Sequence, residues 1–119
     1  MDWFGCAIGA VSKPVGGKIV NAFINMGYRD DASIIGFAGK LHYTNAAYAN
    51  GMLGHVLELD DVHKSSISHP GAIAIPSSLA IAETLNSNID DLIMGIVAGY
   101  EVMIRLGNAL NPTHYDYWH

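Results

Sequence analysis

The chain has 119 residues, of which 50% are hydrophobic and 14% charged, enough apolar material for one domain with a core and the opposite of a disordered composition. Eleven acidic and six scattered basic residues leave a formal net charge of −5, with no basic footprint for nucleic acid or an anionic lipid surface. Cys6 stands alone, which excludes an internal disulfide and any four-cysteine zinc or iron–sulfur ligand set from this chain.

In chain order, residues 2–12 predict a short apolar helix, interrupted by Pro14 and the Gly16–Gly17 pair. Apolar residues at helical spacing from Lys18 to Met26 predict a second helix that Gly27 can end. "YRDDAS" reads as a turn, and residues 33–43, with adjacent Ile34 and Ile35 and a central glycine, as an extended segment or small hairpin. Thr44 is the expected cap of a third helix running to about Leu59, whose Ala46, Ala47, Asn50, Gly51 and Gly54 invite close approach by another backbone.

"DDVHKSSISHPG" predicts a polar loop, and "AIAIPSSLAIAETL" a further helix in which Pro76 suits a first turn and would kink an interior one. Asn88 to Asp91 matches a capping start for a long last helix with an apolar stripe, where Gly95 and Gly99 mark a tight crossing. The longest apolar run, Ile89–Leu110, is broken by Glu101 and Arg105, so no bilayer span is expected. The N-terminus lacks the basic region of a signal peptide, and a cytoplasmic protein is expected. Both ends stop inside apolar or aromatic sequence and read as cut.

The chemistry concentrates in "GHVLELDDVHKSSISHPGA", where three carboxylates (Glu58, Asp60, Asp61) and three histidines (His55, His63, His69) fall within a few turns of chain. Anions at a helix C-terminus oppose its dipole, a local cost expected where function rather than stability sets the sequence. Three readings stand side by side. The plainest is a solvated acidic loop with incidental histidines. A metal site would use His55, Glu58, Asp61 and His63, but no His-Glu-x-x-His or Glu-x-x-His spacing supports it. A proton-transfer site would use one carboxylate and one or two histidines on a small polar substrate. The last needs counter-charge for an acidic substrate, and only Lys64, Arg105 and protonated histidines lie near the motifs.

"NAAYANGMLGHVLELDDVH", "SHPGAIAIPSSLAIAE", "DLIMGIVAGYEVMIRLG" and "HYDYWH", in that order, resemble the MmgE/PrpD family over essentially the whole chain. The resemblance implies a mainly α fold: residues 1–119 would be one partial helical domain, a bundle portion of the family's all-α domain, with one short hairpin near 33–43 and the α/β lid domain absent. It implies a lyase of the 2-methylcitrate dehydratase type, eliminating water from citrate-like di- and tricarboxylates by acid/base chemistry without metal or cofactor, or a related decarboxylase or isomerase. A homodimer, or pairing with a complementary chain segment, is the implied assembly.

Carried over residue by residue, the resemblance gives Glu58, Asp61, His69 and His119 as catalytic, with Asp60, His63 and Lys64 assigned to substrate binding. Glu58 stands where Asp is commoner, and Val62 where a threonine hydroxyl is common, so the particular substrate stays open. His55, one helical step from Glu58, is expected only to orient it, and Glu101 and Arg105 to pair with each other. The alternative from a different class is a non-catalytic helical module whose apolar faces bind a partner chain.

Overall fold

The computed structural model describes residues 2–118. Its elements are α1 (Asp2–Val11), α2 (Pro14–Ile24), β1 (Ala32–Ser33), β2 (Lys40–Leu41), α3 (Tyr43–His55), α4 (Gly71–Leu85), α5 (Ile89–Leu110) and α6 (Thr113–Trp118). The fold is mainly α with a single short hairpin, as the sequence predicts. His119 lies outside the described residues.

Periodicity explains the first layer. Trp3, Cys6, Ala7 and Ala10 on α1, and Gly16, Ile19, Val20 and Phe23 on α2, are buried at the i, i+3, i+4, i+7 spacing that places side chains on one helical face. Pro14 sits in the first turn of α2, where its missing N–H is no loss. Both faces close on α3, which is central to the bundle and buries Ala46, Ala49, Asn50, Leu53 and Gly54. Small residues let the helices come together: a Cβ at Gly54 would collide with the Trp3 indole, and one at Gly51 would lie 2.9 Å from the Ala72 carbonyl oxygen of α4.

The strands β1 and β2 pair antiparallel with Ala32 opposite Leu41 and Ser33 opposite Lys40. Gly36, at φ +84°, supplies the left-handed residue between them. Two polar anchors hold this hairpin on the helices. Buried Asn50 accepts from the Ile35 N–H and donates to the Ser33 carbonyl, both at 2.9 Å. Glu83 of α4 accepts from the Ser33 N–H at 2.7 Å and the Ser33 hydroxyl at 2.5 Å, with Lys40 Nζ 3.3 Å away. Partial burial pushes the Glu83 pKa upward, but the Ser33 and Lys40 contacts outweigh it and the net shift is downward.

Several details differ from expectation: α2 starts at Pro14 rather than Lys18 and takes Gly16 and Gly17 into its first turn, and His42 rather than Thr44 stands at the cap position of α3. Helix α3 begins at Tyr43 and ends at His55, four residues before Leu59, because Glu58 takes the left-handed conformation at φ +54° and turns the chain back. Pro76 lies inside α4 rather than in its first turn. There it is fully buried, and it removes the N–H that would otherwise bond the Ala72 carbonyl, the oxygen that faces Gly51 of α3. Its ring packs against α3 at Gly51.

Asn88 caps α5 by accepting from the Asp91 N–H at 2.9 Å, and Gly95 and Gly99 lie against Ser78 and Ala74 of α4, the close crossing their spacing implies. Glu101 and Arg105 do not interrupt the helix; they pair side by side, Arg105 donating at 2.7 and 2.8 Å to one Glu101 oxygen. Among the described residues α5 is therefore one helix that is long and apolar enough, by length and composition, to cross a membrane. None of its residues is buried, and Ile93, Val97, Val102 and Leu106 are exposed. Its firmest polar tie is Tyr100, whose hydroxyl donates to Asp61 at 3.0 Å, while the same carboxylate accepts from the Gly71 N–H at 3.1 Å and so fixes the start of α4.

Burial and the adjacent Asp61 carboxylate push the Tyr100 phenol up to about 12. A phenol raised on folding adds stability that is complete below its ordinary value near 10 and is lost as pH rises toward 12. Replacing Tyr100 by Phe should cost about 1.5–3 kcal/mol at neutral pH, the worth of a hydrogen bond to a charged acceptor. Urea unfolding followed from pH 8 to 11 should show the difference between the two proteins shrinking at the alkaline end. Separately, Gly54→Ala should destabilise the protein by about 1–3 kcal/mol through overpacking against Trp3, read as a lowered thermal midpoint.

Candidate active site

The site forms where α3 ends and α4 begins. Helix α3 delivers His55 in its last turn, the reversal at Glu58 swings the next residues under the helix end, and His69 enters just before Pro70 and Gly71 open α4. Asp60 is the centre. Its side chain has no exposed surface, and both its oxygens accept from His55 Nδ1 at 3.1 Å. His69 Nδ1 approaches Asp60 Oδ2 to 3.3 Å, an ion-pair distance, but its orientation makes no hydrogen bond, so this buried nitrogen has no hydrogen-bond partner. The two imidazole rings meet edge to face with centroids 4.6 Å apart.

On its far side His55 Nε2 lies 3.4 Å from Glu58 Oε1, so the ring stands between two carboxylates. Glu58 itself is mostly exposed, at 72% of its side-chain surface. Asp61 points away from its neighbour Asp60, toward Gly71 and Tyr100. The two adjacent acids thus divide the work: Asp60 gathers the histidines and Asp61 secures two helices.

The rest of the loop is built on itself. His63 and Ser68 exchange backbone hydrogen bonds at 2.9 and 3.4 Å, and the Ser66 hydroxyl lies 2.8 Å from His63 Nδ1 and 2.7 Å from Ser68 Oγ. Ser66 is buried against Gly107 of α5, and Asn111 Nδ2 donates to the Ser65 carbonyl at 3.1 Å. His63 therefore shapes the loop, and Lys64 is exposed on it. Of the residues singled out from sequence, the structure brings together Glu58, Asp60 and His69, holds Asp61 just behind them, and sets His63 and Lys64 apart.

His55 is the residue that sequence reasoning undervalued. Its signal was present: it shares a helical face with Gly51, whose bare backbone opens the space it enters. That space is a cavity of about 680 Å³ between α3, α4 and the loop, with Tyr48, Met52, Ile73 and Met103 among its apolar walls and His55, Ser68 and His69 as polar groups. Asp60 sits beneath the histidines and does not itself line the cavity. No lysine or arginine is among the lining residues. The arrangement can hold two imidazoles against a buried anion and present their edges to a bound molecule, which is suited to moving a proton.

One more group senses the acids. The Cys6 thiol on α1 is pushed up chiefly by burial, and further by Asp2 and Asp60, so it is held as an unreactive thiol.

Over 100 residues the chain is 27% identical to the cis-aconitate decarboxylase-like protein oryM of Aspergillus oryzae, a match covering 78% of this chain and 20% of that relative. The matched stretch thus spans about a fifth of that relative's length. The MmgE/PrpD N-terminal domain matches residues 1–119, from one end of the sequence to the other, and the chain belongs to the MmgE/PrpD family.

Proposed function

We propose that the chain contributes the histidine–aspartate half of an active site in a lyase acting on citrate-like di- or tricarboxylates. The observation that carries this reading is the His55–Asp60–His69 cluster at the edge of the 680 Å³ cavity. Elimination of water, or loss of carbon dioxide, next to a carboxylate requires a group that takes or delivers a proton at a defined place. In this reading His69 exchanges that proton, since its ring faces the cavity, and Asp60 holds both imidazoles in orientation. His55 and Glu58 support the same exchange from the α3 side, Asp61 positions the start of α4, and Lys64 and His63 act through the loop. His119 keeps its assigned catalytic role as part of the proposal.

The 2-methylcitrate dehydratase type of reaction is our first choice, and a decarboxylation like that named for the Aspergillus oryzae relative is the nearest alternative. A substrate with two or three carboxylates needs more positive charge than this cavity offers. We assign that charge to parts of a longer protein, in keeping with a match that covers 20% of the Aspergillus oryzae relative. A homodimer and a cytoplasmic location belong to the same proposal. A second reading, a helical module that binds a partner chain without catalysis, draws on the uncovered apolar face of α5.

Turnover of 2-methylcitrate and of cis-aconitate by the intact protein, followed as alkene formation and carbon dioxide release, tests the proposal. His69→Gln should lower kcat by about 10²–10⁴-fold, the usual worth of a positioned acid–base group. Undiminished turnover in that variant removes His69 from the mechanism, and inactivity of the wild-type protein on every di- and tricarboxylate tried favours the helical module.

A further inference from the structure

The same cluster has the composition and spacing of a metal-ligand set. Two imidazole nitrogens and one carboxylate offer three donor atoms, all within 4.8 Å of one another. Around a zinc ion bonded at about 2.0–2.2 Å, neighbouring ligand atoms stand about 3–3.6 Å apart. His55 Nδ1 and His69 Nδ1 lie 3.1 and 3.3 Å from the Asp60 oxygens, already at that separation. A modest swing of the rings, which touch edge to face, is all that a shared ion requires.

Two independent features of the donors point the same way. His69 Nδ1 is buried without a hydrogen-bond partner, 3.3 Å from the carboxylate yet not bonded to it. Such an atom carries a desolvation cost that a bond to a cation would cancel. His55 presents Nδ1 to the cluster while its other nitrogen faces Glu58 at 3.4 Å, the carboxylate–histidine support common behind metal-bound imidazoles. The carboxylate is fully buried, so an ion held there would be shielded from competing water on the Asp60 side. Two nitrogens and one oxygen suit zinc better than magnesium or calcium, which prefer all-oxygen sites. His63, tied up with Ser66 and Ser68, takes no part.

We propose that His55, Asp60 and His69 form a binding site for Zn²⁺, and that zinc held there blocks the acid–base step; the blocking half rests on the function proposed above. An ion bonded to His69 occupies the nitrogen that faces Asp60 and pins the ring that would otherwise exchange a proton. Zinc would thus act as an inhibitor of this site.

The test titrates the intact, metal-stripped protein with zinc salt in a calorimeter, with Co²⁺ as a spectroscopic substitute. The expected result is one ion per chain bound at these residues, with visible Co²⁺ absorption of the strength four- or five-coordinate sites give. Affinity should fall by more than about a hundredfold in His55→Gln and in His69→Gln, and by about tenfold in Glu58→Gln, whose carboxylate only supports the ring. His63→Gln, a loop residue outside the cluster, should bind zinc like the wild type, and circular dichroism of each variant separates lost ligands from lost folding. Equal zinc affinity in wild type and in folded His55→Gln and His69→Gln overturns the site and leaves a hydrogen-bonded triad only. Where turnover is measurable, added zinc should abolish it and a chelator restore it; turnover unaffected at saturating zinc overturns the inhibitory role. Binding with no turnover of any substrate would count against the proposed function alone.

Discussion

A carboxylate with no exposed surface is the constraint around which this structure is arranged. Burying an unpaired charge costs several kcal/mol, so Asp60 can occupy its place only if partners are brought to it. His55 comes from the last turn of α3 and His69 from the residue before Pro70, so one side chain couples the end of one helix to the start of the next. The early end of α3 follows from the same need. A helix continued to Leu59 would carry Asp60 outward along its axis, whereas the left-handed turn at Glu58 drops it beneath the histidines.

Asp61 completes the junction from the opposite side. By accepting from the Gly71 N–H it places negative charge at the start of α4, where the helix dipole favours it, and through Tyr100 it draws α5 onto the same point. Two neighbouring acids with divergent directions thus serve one junction. Asp60 gathers titratable rings, while Asp61 fixes the backbone that carries one of them. The close approach of α1 and α4 to α3, at Gly54 and Gly51, packs the last turns of the helix that carries His55.

Much of the framework is legible in the sequence because it is set locally. The buried faces of α1 and α2 follow from apolar spacing, the start of α5 from the Asn88 cap, and the α4–α5 crossing from Gly95 and Gly99. What the sequence hides is set by distant contacts. Nothing local to Glu58 demands a positive φ, and nothing local to Pro76 says that a buried interior position will accept it; both depend on what α3 and α4 do to each other. The same holds within the site. The acid–histidine cluster is visible as composition, but which of two adjacent aspartates faces the histidines depends on tertiary packing. His55 gains its importance only once the chain folds back over it. His63 shows the converse, since a histidine in a charged cluster turns out to be held by two serines that brace a loop.

The features of the molecule that are unbalanced share a direction. Helix α5 lays small residues against α4 and leaves an apolar face bare. The cavity presents imidazoles and apolar walls but no lysine or arginine, although a citrate-like substrate would bring two or three negative charges into it. In the proposed function both deficits are met by further chain packed over this bundle, which would supply apolar contacts to α5 and cations to the cavity. That chain would leave the histidine–aspartate cluster as it stands, because its three members are already oriented from within α3, α4 and the loop between them. In that reading, orientation of the proton-transfer groups is an internal property of this domain, and recognition of the substrate's charge is added to it by the further chain.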